Sequence, residues 1–333
     1  MRLNIVYKCF AFVMLVGLIF SNQIHAQNNK VTPSIYKDAD QLKMNHWVDS
    51  VFSKLTVDQK VGQLFTIIIA GNTSASNKAR LQDLITKQHI GGILFSKISI
   101  RDHAEMTNYA QSIAEVPLMV ALDGEWGLGM RIQNTTPWAR NMMLGAVQND
   151  SLLYYYGLEV ARQCKIMGIH INFAPTLDVN SNPKNPVIGY RSFGENPRRV
   201  ADLGVMYSKG LEAGGVMSVA KHFPGHGDTS SDSHFTLPVI NHDRERLSAF
   251  ELVPFGRYIN EGLAGMMVGH LNVPALDSQK QPSSLSKPII TDLLKNEMGF
   301  SGLTFTDGMQ MQGVAKETDH SLRALLAGND VVL

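Results

Sequence analysis

The sequence predicts a (β/α)8 barrel. Eight short apolar runs alternate with amphipathic stretches, a pattern that implies parallel strands joined by right-handed crossovers. The runs are continuously apolar, as strands covered on both faces must be. Eight such units over about 270 residues fit a closed barrel, for which roughly 250 is typical. The rival is a doubly wound open sheet, but no run leads into the G-x-G-x-x-G phosphate turn that such sheets carry.

In chain order the predicted strands are Val61 to Ala70, Ile90 to Ser96, Pro117 to Leu122, Ile171 to Leu177, Val216 to Ala220, Ala264 to Gly269, Gly302 to Thr306 and Asp330 to Leu333. Apolar residues recur at three and four in Ser151 to Met167, Arg198 to Ala213, Arg246 to Asn260 and Ile289 to Met298, which predicts helices there. A barrel carries a helix after its eighth strand, so ending at Leu333 gives the expectation of a chain cut short. No internal repeat or low-complexity tract interrupts the pattern.

Ahead of the barrel, Met1-Arg2 and Lys8 precede an apolar run from Cys9 to Phe20, and Ala26 ends a plausible cleavage region. That run is shorter than the roughly 20 residues of a membrane-spanning helix. Residues 1–26 therefore read as a signal peptide, with a periplasmic or secreted destination; a retained membrane anchor is the alternative. Residues 27–54 read as an N-terminal extension with a lead-in helix, and residues 55–333 as the barrel.

Composition excludes several classes of function. Of 333 residues, 44% are hydrophobic and 18% charged, as in a folded globular protein. Thirty basic against 29 acidic residues leave a net charge of +1, with no field for nucleic acid. Loss of the leader would remove Arg2, Lys8 and Cys9, leaving one cysteine, Cys164, and no intramolecular disulfide. Cys164 is expected to be a buried small hydrophobe.

In a barrel, chemistry sits where the strands end. Here those ends are polar: Asp123-Gly124-Glu125, Asp178, Lys221-His222, His270 and Asp307. The densest cluster is Lys221-His222-Phe223-Pro224-Gly225-His226-Gly227-Asp228-Thr229, continuing to Asp232-Ser233-His234, with Pro and Gly residues that predict a loop. His222, His226, Asp228, Asp232 and His234 could in principle bind a metal. The first strand lacks the His-x-His pair that barrel metallohydrolases usually use, and neither a metal nor a cofactor is expected. Carboxylates, imidazoles and basic donors without metal suit glycoside hydrolysis, which needs a carboxylate on one side of the anomeric carbon and a proton donor on the other. Asp307 ends a strand beside Gly308, which would let a ligand approach. Asp232 and His234, two residues apart, can both face a cleft, the carboxylate orienting the imidazole.

The run Lys221 to Thr229, followed by Asp232-Ser233-His234, resembles the family 3 glycoside hydrolases, and within them the β-N-acetylglucosaminidases of the NagZ type. Arg191-Ser192-Phe193-Gly194 with Pro197, and Phe173-Ala174-Pro175 with Leu177-Asp178-Val179, are similar to the same family. The resemblance runs from about Leu55 to Leu333. It implies that Asp307 is the nucleophile, His234 the general acid/base and Asp232 its partner. It also implies that Asp123, Arg131, Arg191, Lys221 and His222 bind the sugar on the cleaved side. The implied substrates are β-N-acetylglucosaminides, including peptidoglycan-derived saccharides. Asp178 reads equally as a sugar contact or as an ion-pair partner of Arg191.

Two departures stand out. The family usually has Asp-x-Glu-Gly-Gly after the third strand, whereas Trp126 and Leu128 interrupt it here, although Asp123, Glu125 and Arg131 keep their spacing. Beyond the nucleophile, Gly308 and Gln310 replace more usual residues. Competing readings are a family 3 β-glucosidase, a phosphorolytic enzyme, and a carbohydrate-binding module without turnover. Retention of Asp307, Asp232 and His234 together disfavours the last.

Overall fold

In the computed structural model, residues 33–333 are described, apart from Asp38 and Ala70. The expected signal peptide, residues 1–26, lies outside them. No helix among the described residues is long and apolar enough to cross a membrane.

Seven strands pair in parallel, neighbour to neighbour, in the order β1 (Thr66–Ile69), β2 (Gly92–Phe95), β4 (Met119–Leu122), β6 (Ile171–Asn172), β7 (Met217–Phe223), β8 (Gly265–Val268) and β9 (Leu303–Thr306). Between them, β3 (Ile98–Ser99) and β5 (Ile132–Gln133) form a separate two-stranded ladder. The eighth predicted run closes the ring. Val331 bridges Phe305 and Val332 bridges Phe65, both in parallel. The Thr66 N–H donates to the Val332 carbonyl at 2.9 Å, and the Thr306 N–H to that of Val331 at 3.0 Å. Strand order never reverses, so the sheet is a barrel rather than a doubly wound sheet.

The helices are α1 (Gln41–Phe52), α2 (Val57–Gly62), α3 (Ala75–Thr86), α4 (Ile100–Ile113), α5 (Asn141–Leu144), α6 (Ser151–Ile166), α7 (Pro197–Ala213), α8 (Arg244–Ala249), α9 (Val253–Asn260) and α10 (His320–Ala327), with a π-helix over Pro288–Glu297. Asp40 caps α1 by accepting from the Lys43 N–H. Alternating strand residues fill two cores. On β8, Met267 points into the barrel with Phe173, Val219 and Phe305, while Met266 and Val268 face the helix layer with Tyr258 and Phe255. Cys164 is fully buried in that outer layer, and burial pushes its thiol up to about 12.

Four boundaries differ from expectation. Val61 and Gly62 belong to α2 rather than the first strand, because Thr56 and Gln59 form a reciprocal capping box that starts a helix there. The run from Ile171 keeps strand geometry for two residues only; Pro175 has no N–H to continue the ladder. The stretch Arg246 to Asn260 is two helices rather than one, breaking at Phe250, and Pro254 sits in the first turn of the second. Strand β7 runs on to Phe223, so Lys221 and His222 are strand residues and the loop starts later.

Candidate active site

A cavity of about 390 Å³ opens at the carboxyl ends of the strands. Asp123, Arg131, Arg191, Lys221, His222, His234 and Asp307 all line it. Asp232 stands behind His234. The eight predicted site residues, drawn from distant parts of the chain, therefore converge.

The floor is an ionic cluster. In a regular strand Lys221 and His222 would point to opposite faces. The pairing of β7 with β8 shifts register between Ala220 and Phe223, and both side chains line the cavity. Lys221 Nζ lies 2.5 Å from Asp123 Oδ1 and 2.8 Å from Glu125 Oε1. Arg191 meets Glu125 with two nitrogens, Nε at 3.0 Å from Oε2 and Nη2 at 2.6 Å from Oε1. Arg131 pairs with the other oxygen of Asp123. Burial alone would raise both carboxyls, but Lys221, Arg131 and Arg191 outweigh it and hold Asp123 and Glu125 below the usual carboxylate range. Burial would likewise lower Lys221, yet the same carboxylates keep it raised. Arg131, Arg191, Lys221 and Asp123 thus present directed donors and acceptors to the cavity, as vicinal hydroxyls require, with Glu125 fixing two of them from beneath.

Glu125 falls outside the predicted contact set, yet its side chain is fully buried and it anchors both Arg191 and Lys221. Its signal was its place two residues after Asp123 at a strand end, since alternate residues share a face. Asp178 is not the partner of Arg191. Its Oδ2 lies 2.7 Å from His222 Nδ1, and it accepts from the backbone N–H of His226 at 2.6 Å. With Nδ1 so engaged, His222 turns Nε2 toward Arg191 Nη2, 3.4 Å away.

Asp307 follows β9 and accepts from the Gly308 N–H at 2.8 Å. Burial would raise its carboxyl, but the imidazoles of His222 and His270, the Gly308 N–H and Lys221 hold it below the ordinary range. His270 is fully buried outside the cavity, bridging Ser284 Oγ and the Gly308 carbonyl at 2.7 and 3.0 Å. It braces the Asp307 turn. A Cβ on Gly308 would come within 2.7 Å of the Gln310 amide, so this glycine makes room for Gln310.

On the opposite loop, Asp232 Oδ1 accepts from the His234 backbone N–H at 2.8 Å and lies 2.7 Å from its Nδ1. The His234 side chain is 58% exposed and Asp232 25%. Nδ1 is thereby committed to the carboxylate, which leaves Nε2 as the free ring nitrogen of a residue that lines the cavity.

Among the described residues, the five considered for a metal do not bring three ligand atoms together. His222 is held by Asp178, His226 by Thr229 and Ser233, Asp232 by His234, and Asp228 by His242 at 2.6 Å. Burial keeps His226 down at about 4, so it is neutral near pH 7. Asp228 and His242 do approach Glu251, with ligand atoms within 4.8 Å, but Arg246 Nη2 already pairs with Glu251 at 2.9 Å.

The chain is similar to beta-hexosaminidase A of Pseudoalteromonas piscicida, at 39% identity over 280 residues, covering 76% of this chain and 47% of that protein. It resembles the solved family 3 beta-N-acetylglucosaminidase of Paenibacillus sp. FPU-7 at 38% identity and a TM-score of 0.79, covering 84% of this chain and 55% of that one. It also resembles NagZ of Neisseria gonorrhoeae, solved with N-trifluoroacetyl-D-glucosamine, at 29% identity and a TM-score of 0.71, covering 82% and 80%. The chain spans about half the length of the first two relatives. Residues 56–333 match the N-terminal domain of glycosyl hydrolase family 3, and the chain belongs to that family.

Proposed function

We propose that this chain is the catalytic barrel of a retaining β-N-acetylglucosaminidase that removes terminal β-linked N-acetylglucosamine, with peptidoglycan-derived saccharides as substrates. One observation carries the reading: the Asp307 carboxylate and the Asp232–His234 pair face one cavity whose floor is the Asp123, Arg131, Arg191, Lys221 cluster. The sugar specificity is supported by the names of the relatives, beta-hexosaminidase A and beta-N-acetylglucosaminidase, and by the glucosamine derivative bound to the gonococcal NagZ.

In the first step an Asp307 oxygen bonds to the anomeric carbon while the glycosidic C–O bond breaks, and His234 passes its proton to the departing oxygen. In the second, His234 takes a proton from water, the water oxygen bonds to the anomeric carbon, and Asp307 is released. Asp232 orients the imidazole for both transfers. The apolar run at residues 9–20 and the small residues before Gln27 support export, with residues 55–333 acting as the barrel beyond the leader.

The test is to offer aryl β-N-acetylglucosaminide and aryl β-glucoside to the purified protein, with and without phosphate, and to trap the intermediate with a fluorinated sugar. Turnover of the first substrate, indifference to phosphate and a label on Asp307 are expected. Preference for the glucoside would favour the β-glucosidase, phosphate-dependent release a phosphorylase, and a label on Asp123 or Asp178 would overturn the assignment of the nucleophile.

A further inference from the structure

Trp126 breaks the family's usual glycine run, and neither the fold nor the proposed reaction accounts for it. Its ring lines the cavity. The Arg140 guanidinium packs 4.9 Å from that ring's centroid and 4.0 Å from the centroid of Tyr190. Tyr190 adjoins Arg191 and is 54% exposed; Arg140 is also exposed. Two aromatic faces therefore clamp one cation beside the cavity.

What distinguishes Arg140 is its charge balance. The cations of the floor, Arg131, Arg191 and Lys221, are each paired with Asp123 or Glu125. Arg140 forms no ion pair among the described residues. Aromatic faces hold a guanidinium in place without cancelling its charge, and leave the planar N–H edges free. Such an edge suits bidentate capture of a carboxylate.

We propose that Arg140, clamped by Trp126 and Tyr190, binds a carboxylate on the part of the substrate that leaves. This deepens the glycosidase reading above and rests on it. We take the paired floor to hold the terminal sugar, and the portion that extends past Trp126, in the same cavity as His234, to be the one that leaves. In a peptidoglycan fragment that carboxylate has two sources, the lactyl ether of the muramic residue or the peptide attached to it.

The experiment uses three disaccharides with N-acetylglucosamine β-linked to a muramic residue: one with the free lactyl acid, one with that acid amidated, and one carrying a dipeptide on it. Wild-type and Arg140→Gln proteins are compared by kcat/KM and by calorimetric binding, at low and high salt. The wild type should favour an acid over the neutral amide by about tenfold, and Arg140→Gln should bring that ratio close to one. High salt should shrink the preference. Preference for the free lactyl acid assigns the first source, and preference for the dipeptide alone assigns the second. A uniform loss on all three would make Arg140 a support for the Trp126 ring and overturn the proposal, as would a wild type that ignores the charge. If no β-N-acetylglucosaminide is turned over, the glycosidase reading fails, and the binding ratio still decides the carboxylate site.

Discussion

Asp178 Oδ2 lies 2.7 Å from His222 Nδ1, and the same carboxylate accepts from the His226 backbone N–H, so one buried acid orients a cavity imidazole and ties down the loop leading to His234. Its own reach to substrate is blocked by those bonds. Asp178→Asn retains an acceptor for the backbone but weakens control of the ring. It should cut kcat/KM on the order of 10²-fold, the cost of misplacing a contact, and leave the melting temperature nearly unchanged. Asp178→Ala should lower both, since buried N–H groups lose their acceptor at about 1 to 3 kcal/mol. Kinetics normalised to folded protein separate the two effects; an unchanged rate in Asp178→Asn would leave Asp178 a purely structural role.

His234→Ala tests proton donation. General acid catalysis is worth about 10² to 10⁴ in rate, and a good leaving group needs little of it. The variant should slow a disaccharide far more than an aryl glycoside with an acidic phenol, and Asp232→Ala should show the same bias more weakly. Comparing kcat/KM across phenols of graded acidity checks this. Equal losses on all of them would return His234 to a binding role.

Glu125 offers a test of the floor. Glu125→Gln leaves Arg191 and Lys221 sharing one fewer charge in a buried site, and breaking a buried pair costs about 3 to 5 kcal/mol. Urea unfolding should show that loss in full or in large part. Lys221→Ala also breaks buried pairs, with Asp123 and Glu125, and on the proposed reading removes a donor to the sugar as well, so it should cost activity beyond the loss of folded protein, which circular dichroism measured beside kcat/KM will reveal.

Stability should fall with acid in two stages. Burial holds both His103 and His226 at about 4, while the unfolded chain takes up those protons near pH 6.5. The unfolded state thus binds more protons between those values, and stability declines as pH falls from about 6.5 to about 4, by up to about 1.4 kcal/mol per unit for one group. Asp123, Glu125, Asp178 and Asp307, all depressed, stabilise the fold above the ordinary carboxylate range and lose that contribution as pH drops below it. Urea midpoints from about pH 7.5 down to about pH 2 should show both slopes. His103→Leu should reduce the upper slope to the share left by His226 and spare the lower one; an unaltered upper slope would reject the assignment.

The strand pattern and the polar strand ends were legible because both follow from periodicity. What periodicity could not supply was pairing. Asp178 and Arg191 look like natural partners in sequence, yet Arg191 turns to Glu125 and Asp178 to His222, a choice made by which strand ends adjoin in the closed ring. The capping box at Thr56 was readable as well, but the apolar run from Val61 masked it. The extra reach of β7 through Lys221 and His222 could not be foreseen, since a bulge in register leaves no mark on composition.

The bridge from Phe65 to Val332 joins the two extremes of the barrel sequence. No local contact can stand in for it, so a growing chain cannot shut the ring until its last strand residues are available. Until then the outer rims of β1 and β9 each carry unsatisfied backbone groups, ready to accept a strand from another molecule. The two valines that finish the barrel, Val331 and Val332, are therefore also its guard against self-association during synthesis.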